Sequence, residues 1–461
     1  MRRTPNLILA LLCATMLPLT AQLQPVFSFQ KDDTILRKSY YDQTVKKKDQ
    51  SIASADKQYE KDYKEIYEDQ FKEIAGLWKS TRPITSTEAH SYLQSIVQKI
   101  VGANPELKGT DARIVFSRDW WPNAVSMGDG SIAINAGLLI YMDNEAELVF
   151  AICHELSHYY LEHTPKAIKK YVETVNSEAF KAEVKRLSKE EYRVNQQMEA
   201  LAKSIVFNTR RHSRDNEAAA DRQAFIFMKK TGYDLGAIKT TLEMLDRVDD
   251  TLLFNPLDLP QVFNFPDYPF KKKWIQKESA IFSKVEDNSS LTPKEGDSLK
   301  THPDCNKRIA LLQDSIQSAG QAGRKFLVNE ALFKQLKKDF FIEIIEQCYR
   351  DKNISRALYY SLQLLQAKEN TPVAIYTIAR CLNLVYENQK NHTLGSMIGT
   401  ETRGNLEEYN LLLRMLNRLR LDEIASLSYW FCNQQLPLMK TYSAFETEMS
   451  KAKSSKEQSA L

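Results

Sequence analysis

Between residues 85 and 161 the spacing of apolar positions changes period twice, and each change predicts an element. From Thr87 to Val101 the residues Tyr92, Ile96, Ile100 and Val101 recur at helical spacing. Ala112-Arg-Ile-Val-Phe-Ser117 and Ser131-Ile-Ala-Ile-Asn135 then alternate or run β-branched, with the turn signal Gly128-Asp129-Gly130 between them, and read as strands. From Asp143 to Leu161 the helical period returns. Asp143 or Asn144 stands at the N-cap position, and Glu145 and Glu147 sit in the first turn, where the helix dipole favours negative charge.

The flanks are simpler. Residues 30–79 are charged and rich in tyrosine, which predicts one or two solvated helices acting as an arm or brace. Residues 166–212 are expected to form a long polar helical arm, with Phe180, Val184, Leu187, Val194, Met198, Leu201 and Ile205 on a seam interrupted by Glu191. In 252–300, Pro256, Pro260, Pro266 and Pro269 interleave with Phe254, Phe263, Phe265, Tyr268, Phe270 and Trp274. This reads as a loop pinned by its aromatic residues, or alternatively as a lid over a peptide groove. From about Lys325 to Phe445 the chain is helical again. Phe340–Arg350 and Ser355–Gln366, the latter ending before Pro372, form a helix pair of tetratricopeptide-like character. Residues 446–461 are expected to be a flexible tail, frayed from Lys451 onward.

Composition supports long helices: only 14 Gly and 15 Pro occur in 461 residues, so chain-breakers are sparse. The 63 Lys and Arg nearly cancel the 59 Asp and Glu, leaving +4. No basic stripe stands out, and Lys46–Lys48 and Lys271–Lys273 read as solvated faces, so no nucleic-acid partner is expected. At the N-terminus Arg2 and Arg3 precede an apolar run from Leu7 to Leu19, followed by Thr20-Ala21-Gln22. That is the arrangement of a cleaved signal peptide, 1–21. The run is short for a membrane span, and no later apolar stretch is long enough for one. Export to a periplasmic or secreted location is therefore expected, with no transmembrane span in the mature chain. Cys153, Cys305, Cys348, Cys381 and Cys432 have no framework spacing and read as buried thiols, with one disulfide left open. The expected division is charged N-terminal helices over 22–84, a catalytic unit over 85–320, a helical C-terminal domain over 325–445 and the tail.

The chemistry lies in His154-Glu155-Leu156-Ser157-His158, inside the strongest helix. At 100° per residue the two histidines stand one turn apart on one face, so both imidazoles can reach one Zn²⁺. Glu155 points near the same pole, placed to take a proton from water at the metal. A catalytic zinc needs a third protein ligand and one open position. His163 is five residues past His158 and does not fit a metzincin turn, so it reads as a helix-end or loop histidine. Glu217 is the better candidate. It lies in Ser213-Arg214-Asp215-Asn216-Glu217-Ala218-Ala219-Ala220-Asp221, where three small residues let two helices approach closely. Asp221, one turn further, is placed to accept the free N–H of a ligand histidine.

Residues from about 85 to 315 resemble the gluzincin metallopeptidases of the HtpX and CAAX-prenyl-protease type, through His154-Glu-x-x-His158 and Ser213-Arg-x-x-Glu217-x-x-Ala-Asp221. The resemblance implies an α+β zincin-like domain, one zinc ion per chain and hydrolysis of a polypeptide substrate without a covalent intermediate. It also implies that Asp221 orients His154. Asn123-Ala124 and the strand to Asn135 resemble the edge strand above the zinc, which implies Asn123, Ala124, Ile134 and Asn135 as substrate-binding residues by strand addition. Thr301-His302-Pro303 with Arg308 resembles the late His-Pro…Arg element, so His302, aided by Arg308, would stabilise the oxyanion. Membrane-integral members carry spans where this chain has its charged arm, so the arrangement is closer to exported, soluble BepA-like proteases followed by a tetratricopeptide domain.

The sequence thus predicts an exported zinc endopeptidase of α+β class with an all-α C-terminal domain, acting on unfolded or specific exported proteins in quality control or processing. The C-terminal helices are available to a protein partner. Two rivals stand beside it: a helical scaffold or chaperone with a latent or structural zinc site, and a zinc hydrolase acting on another amide such as peptidoglycan. Glu155 counts against the first, since a structural site needs no carboxylate beside an open position. The extended strand at Ser131–Asn135, read as an edge, counts against the second.

Overall fold

The computed structural model describes residues 26–187, 214–247, 256–277, 305–320, 323–402 and 405–459. The expected signal peptide lies outside them, as do 188–213 and His302. Two N-terminal helices, α1 (Thr34–Ser54) and α2 (Glu60–Lys79), form a hairpin. Then come β1 (Pro83–Ile84), α3 (Thr87–Ala103), β2 (Arg113–Ser117), β3 (Ala124–Ser126), β4 (Ser131–Asn135) and the short α4 (Ala136–Leu139). The helix α5 (Glu145–Tyr160) carries the His-Glu-x-x-His residues. It is followed by α6 (His163–Asn176), α7 (Glu178–Leu187), α8 (214–229), α9 (Gly236–Arg247), α10 (Leu259–Val262) and α11 (Cys305–Ala319). The remainder is helical: α12 (Glu330–Arg350), α13 (Ile354–Ala367), α14 (Thr371–Lys390), α15 (Glu407–Arg418), α16 (Leu421–Met439) and α17 (Ser443–Ser459). The chain is thus mostly helical with one small sheet.

The sheet order is β1-β2-β4-β3. β2 and β4 pair in parallel, Arg113 opposite Ser131 through Ser117 opposite Asn135. β3 runs antiparallel to β4, with Ala124 opposite Ile134 and Ser126 opposite Ile132. This corrects one expectation. Ser131–Asn135 is an internal strand with both sides paired, so Ile134 has no backbone free for a substrate; the edge is Ala124–Ser126.

Side chains along a strand alternate faces, and the two faces of β2 are covered by different helices. Ile114 and Phe116 enter the main core together with α3 and α5, whereas Val115 faces the other way onto Ile74 and Trp78 of α2. Trp78 Nε1 donates to Thr44 Oγ1 of α1 at 3.2 Å, and Gln70 Nε2 of α2 donates to the Met127 carbonyl at 2.7 Å. The N-terminal hairpin therefore covers the outer face of the sheet. Its many charges face solvent because only this narrow seam is buried.

A buried arginine joins the sheet region to the C-terminal helices. Arg118, fully buried, ion-pairs with Glu343 of α12 at 2.5 Å and Asp32 at 3.2 Å, and donates to the carbonyls of Thr81 (2.6 Å) and Pro83 (2.9 Å). Phe29 lies against the Arg118 and Arg350 guanidiniums, 4.3 and 4.1 Å from ring centre, so the N-terminal segment threads the junction. Phe116 meets Phe340 edge to face at 5.0 Å, adding an aromatic contact across the same boundary.

Three further expectations change. The polar arm is not one continuous helix: α6 ends at Ser177, whose N–H bonds back to Thr174, and α7 starts anew, its continuation lying outside the described residues. The C-terminal tail is helical to Ser459, because Phe445 and Ala452 are fully buried and Asn383 Nδ2 donates to Glu448 at 2.8 Å. In the aromatic segment, 256–277 packs onto the C-terminal helices. Phe263 and Trp274 are buried, Phe263 meets Phe431 at 6.2 Å, and Lys271 and Lys273 hold Glu423 at 3.0 and 2.8 Å. Those contacts fit a pinned loop. All five described cysteines are free and buried, and among the described residues no helix is long and apolar enough to cross a membrane.

Candidate metal centre

The site is built on α5, and its position is set at the first turn. Asn144 is the residue that caps the helix, its side chain accepting the Glu147 N–H at 3.2 Å. Glu145, fully buried, accepts the N–H groups of Leu327, Val328 and Asn329 at 2.7–2.9 Å and the hydroxyls of Tyr92 and Tyr233 at 3.0 and 3.1 Å. Burial pushes this carboxyl up, but five donors outweigh it and hold it below its usual range. Leu148, Val149, Ile152 and Cys153 are fully buried around the next two turns. The helix is thereby fixed in the core, with its polar pole at His154, Glu155 and His158.

Helix α8 brings the other half. The His154 Nε2 and His158 Nε2 atoms lie 3.1 Å apart, and each is 3.3 Å from a Glu217 oxygen. Donor atoms of these three residues lie within 4.8 Å of one another. Two imidazole nitrogens and a carboxylate converging on one point, with little solvent, are a donor set suited to a divalent cation. Two histidines and one glutamate leave a coordination position open, as a catalytic zinc requires. On the far side of His154, Nδ1 lies 2.9 Å from Asp221 Oδ1, so Nε2 is the nitrogen that would hold a cation.

Arg308 of α11 closes this chain. Its Nε and Nη2 donate to Asp221 at 2.6 and 2.7 Å, and its Nη1 lies 3.4 Å from Glu217 Oε2. The guanidinium is therefore committed to the two carboxylates of α8. Arg308, expected to aid His302 at an oxyanion, is seen here bracing Asp221 and Glu217. His302, the other expected donor, lies outside the described residues.

The charges follow from these contacts. Burial alone would lower His154, but the hydrogen bonds and charges of Asp221 and Glu217 outweigh it and raise it to about 10. Burial likewise opposes ionisation of Asp221, which Arg308 and His154 nevertheless bring down to about 2. Glu217 is held well below its usual range against the same burial by His154 and His158. Glu155 goes the other way. Among the described residues it makes no ion pair, and burial, with Glu217 nearby, raises it, while His154, His158 and the Ser126 N–H act against the rise. A raised carboxyl beside an open metal position suits a general base.

The edge strand lies over this pole. Asn135 N–H donates to the Asn123 carbonyl and Met127 N–H to the Ser131 carbonyl, both at 2.9 Å. By antiparallel alternation, Val125 turns its backbone toward β4, and Ala124 and Ser126 turn theirs outward. Ser126 N–H reaches Glu155, and Val125 is 40% exposed on this edge. Of the four expected substrate-binding residues, Ala124 is thus at the free edge. The Asn123 carbonyl is taken by β4, Ile134 is fully buried, and Asn135 Nδ2 is occupied by the Trp121 carbonyl at 2.9 Å.

His163 was not expected at the site, yet its Nδ1 lies 2.9 Å from His158 Nδ1. Burial, then the His158 charge, lower it to about 4. Its signal in the sequence was only a fifth-residue spacing, which a straight helix would have carried away from His158.

No curated protein matches the chain. Residues 87–316, from the first turn of α3 to near the end of α11 and with all of His154, Glu155, His158, Glu217, Asp221 and Arg308 inside them, match the family model described as peptidase family M48, and this region of the chain belongs to the M48 metallopeptidases.

Proposed function

We propose that the chain is an exported zinc endopeptidase that hydrolyses peptide bonds of unfolded or specific exported proteins. The observation that carries the reading is the convergence of His154, His158 and Glu217 on one point, with Glu155 and the outward backbone of Ser126 beside it. Zinc held by those three residues supplies Lewis acidity, acidifying water and polarising a substrate carbonyl. An extended substrate adds to the outward edge of β3 at Ala124 through its main chain, which favours unfolded polypeptide over folded protein or sugar-linked amides. Glu155 takes the proton of the attacking water and passes it to the leaving amine. Asp221, held by Arg308, keeps His154 oriented throughout.

Export is supported by the Arg2-Arg3 pair ahead of the Leu7–Leu19 run. The α12–α17 helices, two of which resemble a tetratricopeptide pair, offer surface to a protein partner in quality control. That role rests on the resemblance to exported BepA-like proteases. The test compares zinc-loaded mature wild type with Glu155→Gln on an unfolded protein at neutral pH. Cleavage by the wild type alone, with zinc retained by both, supports the reading. If both hold zinc and neither cuts, the scaffold with a latent site takes its place.

A further inference from the structure

We infer that His163 is a positioning residue that fixes the tautomer and ring orientation of the zinc ligand His158, as Asp221 does for His154. The inference rests on the zinc-site reading above. Each candidate ligand histidine turns Nε2 toward Glu217, and each has its Nδ1 engaged: His154 by Asp221 Oδ1 at 2.9 Å, His158 by His163 Nδ1 at 2.9 Å. Two facing ring nitrogens can share only one proton. If His158 is to present a lone pair at Nε2, its proton sits on Nδ1 and is donated to His163, which then carries its own proton on Nε2. The rings stand 4.8 Å apart at 78°, so the contact is nitrogen to nitrogen and not a stack.

The backbone shows that this placement is specific. Helix α5 ends at Tyr160, and Glu162 takes a left-handed conformation, φ 57° and ψ 38°, that glycine adopts more readily. That single residue reverses the chain and starts α6 at His163, setting its ring back over His158. The next residue fixes the turn from the other side. A Cβ at Gly128, itself at φ +87°, would come within 2.6 Å of Thr164 Cγ2, so the hairpin leading to β4 abuts the first turn of α6. His163 is thus held between the end of α5 and the strand hairpin, half-buried and aimed at one atom.

The two outer partners differ in charge. Asp221 brings a negative charge that Arg308 balances at 2.6 Å, whereas His163 accepts without adding one. Orientation is thereby achieved at His158 without a second uncompensated carboxylate beside Glu217.

The test uses the full mature chain with His163→Phe, which keeps a ring and removes the nitrogens, and His163→Asn, whose side-chain oxygen takes the place of Nδ1. Zinc affinity is read by competition with a chromophoric chelator at fixed pH, and urea unfolding of the metal-free proteins reports the fold. The expected result is a loss of about 10–100-fold in zinc affinity for His163→Phe, as for other outer partners of metal ligands. His163→Asn should recover most of that loss, with metal-free unfolding midpoints unchanged in both. Equal zinc affinity in wild type and His163→Phe would overturn the inference. So would an asparagine variant as weak as the phenylalanine one, since that would show packing and not the acceptor to matter. Wild type that binds zinc without cutting peptide would sink the peptidase reading and leave this one standing; wild type without zinc would sink both.

Discussion

The buried Asp221–Arg308 pair permits a quantitative prediction, because both charges lie almost out of water and each has a second contact. Their side chains are 2% and 5% exposed and joined by bonds of 2.6 and 2.7 Å. Removing one partner from such a pair costs about 3–5 kcal/mol, since the other charge stays buried and loses its counter-ion. In Arg308→Met, Asp221 keeps, among the described residues, His154 at 2.9 Å as its one charged partner. That residual contact places the expected cost near the low end, about 3 kcal/mol, or roughly two decades in the folding equilibrium. Asp221→Asn should cost a similar amount, because Arg308 then keeps, among the described residues, only Glu217 at 3.4 Å as a charged partner. The double variant removes both charges and should fall short of the sum by about 2 kcal/mol, the coupling expected of a directly bonded pair. The assay is equilibrium urea unfolding of chelator-treated protein, with tryptophan fluorescence and far-UV circular dichroism required to coincide before a two-state treatment is used. Additive costs, or an Arg308→Met cost below about 1 kcal/mol, would refute the reasoning, because they would mean that water reaches the pair.

Four other outcomes are expected. Ser126→Pro removes the N–H that faces Glu155 from the edge strand; proline is tolerated at such an edge, so zinc content and fold should persist while peptide cleavage is lost. Gly137→Ala places a Cβ 2.0 Å from the Trp120 carbonyl oxygen; a stability loss of about 3 kcal/mol and a raised KM, through the displaced lead-in to β3, should appear in unfolding and steady-state assays. Burial opposes ionisation of Glu423, but Lys273 and Lys271 hold it at about 2. A depressed carboxyl contributes stability that is fully present above its unfolded value of about 4.5 and is lost as pH falls toward 2. Acid unfolding followed by tryptophan fluorescence should therefore be steeper in wild type than in Glu423→Gln, and identical curves would remove the two ion pairs of Glu423 from the account. Chelation should abolish cleavage, with activity returning on zinc addition in wild type and not in Glu217→Ala, as read by peptide hydrolysis and metal content together.

The sequence by itself determined the elements whose cause is local. The strands read at Ala112–Ser117 and Ser131–Asn135 and the helix read at Asp143–Leu161 follow from side-chain period, and capping chemistry narrowed its cap to Asp143 or Asn144, between which the structure takes Asn144. His154 and His158 were legible for the same reason: a four-residue spacing on a helix is enough to put two imidazoles on one face. Glu217 needed a second motif, and Asp221 followed from it by one helical turn. What only the tertiary structure decided depends on contacts between distant segments. Strand order is one case, since alternation says which face is buried but not which strand is last, and so Ala124–Ser126 took the edge in place of Ser131–Asn135. The tail is another: Phe445 and Ala452 supply too little apolar pattern to announce a helix, and it is ordered by the surface of α14 and α16. Arg308 and His163 make the same point at the site. One is bound to the Asp221 carboxylate 87 positions earlier in the chain, and the other is returned to His158 by a single left-handed residue. Neither the long-range pairing nor the turn is encoded in a local period, because both are chosen by the free energy of the packed whole.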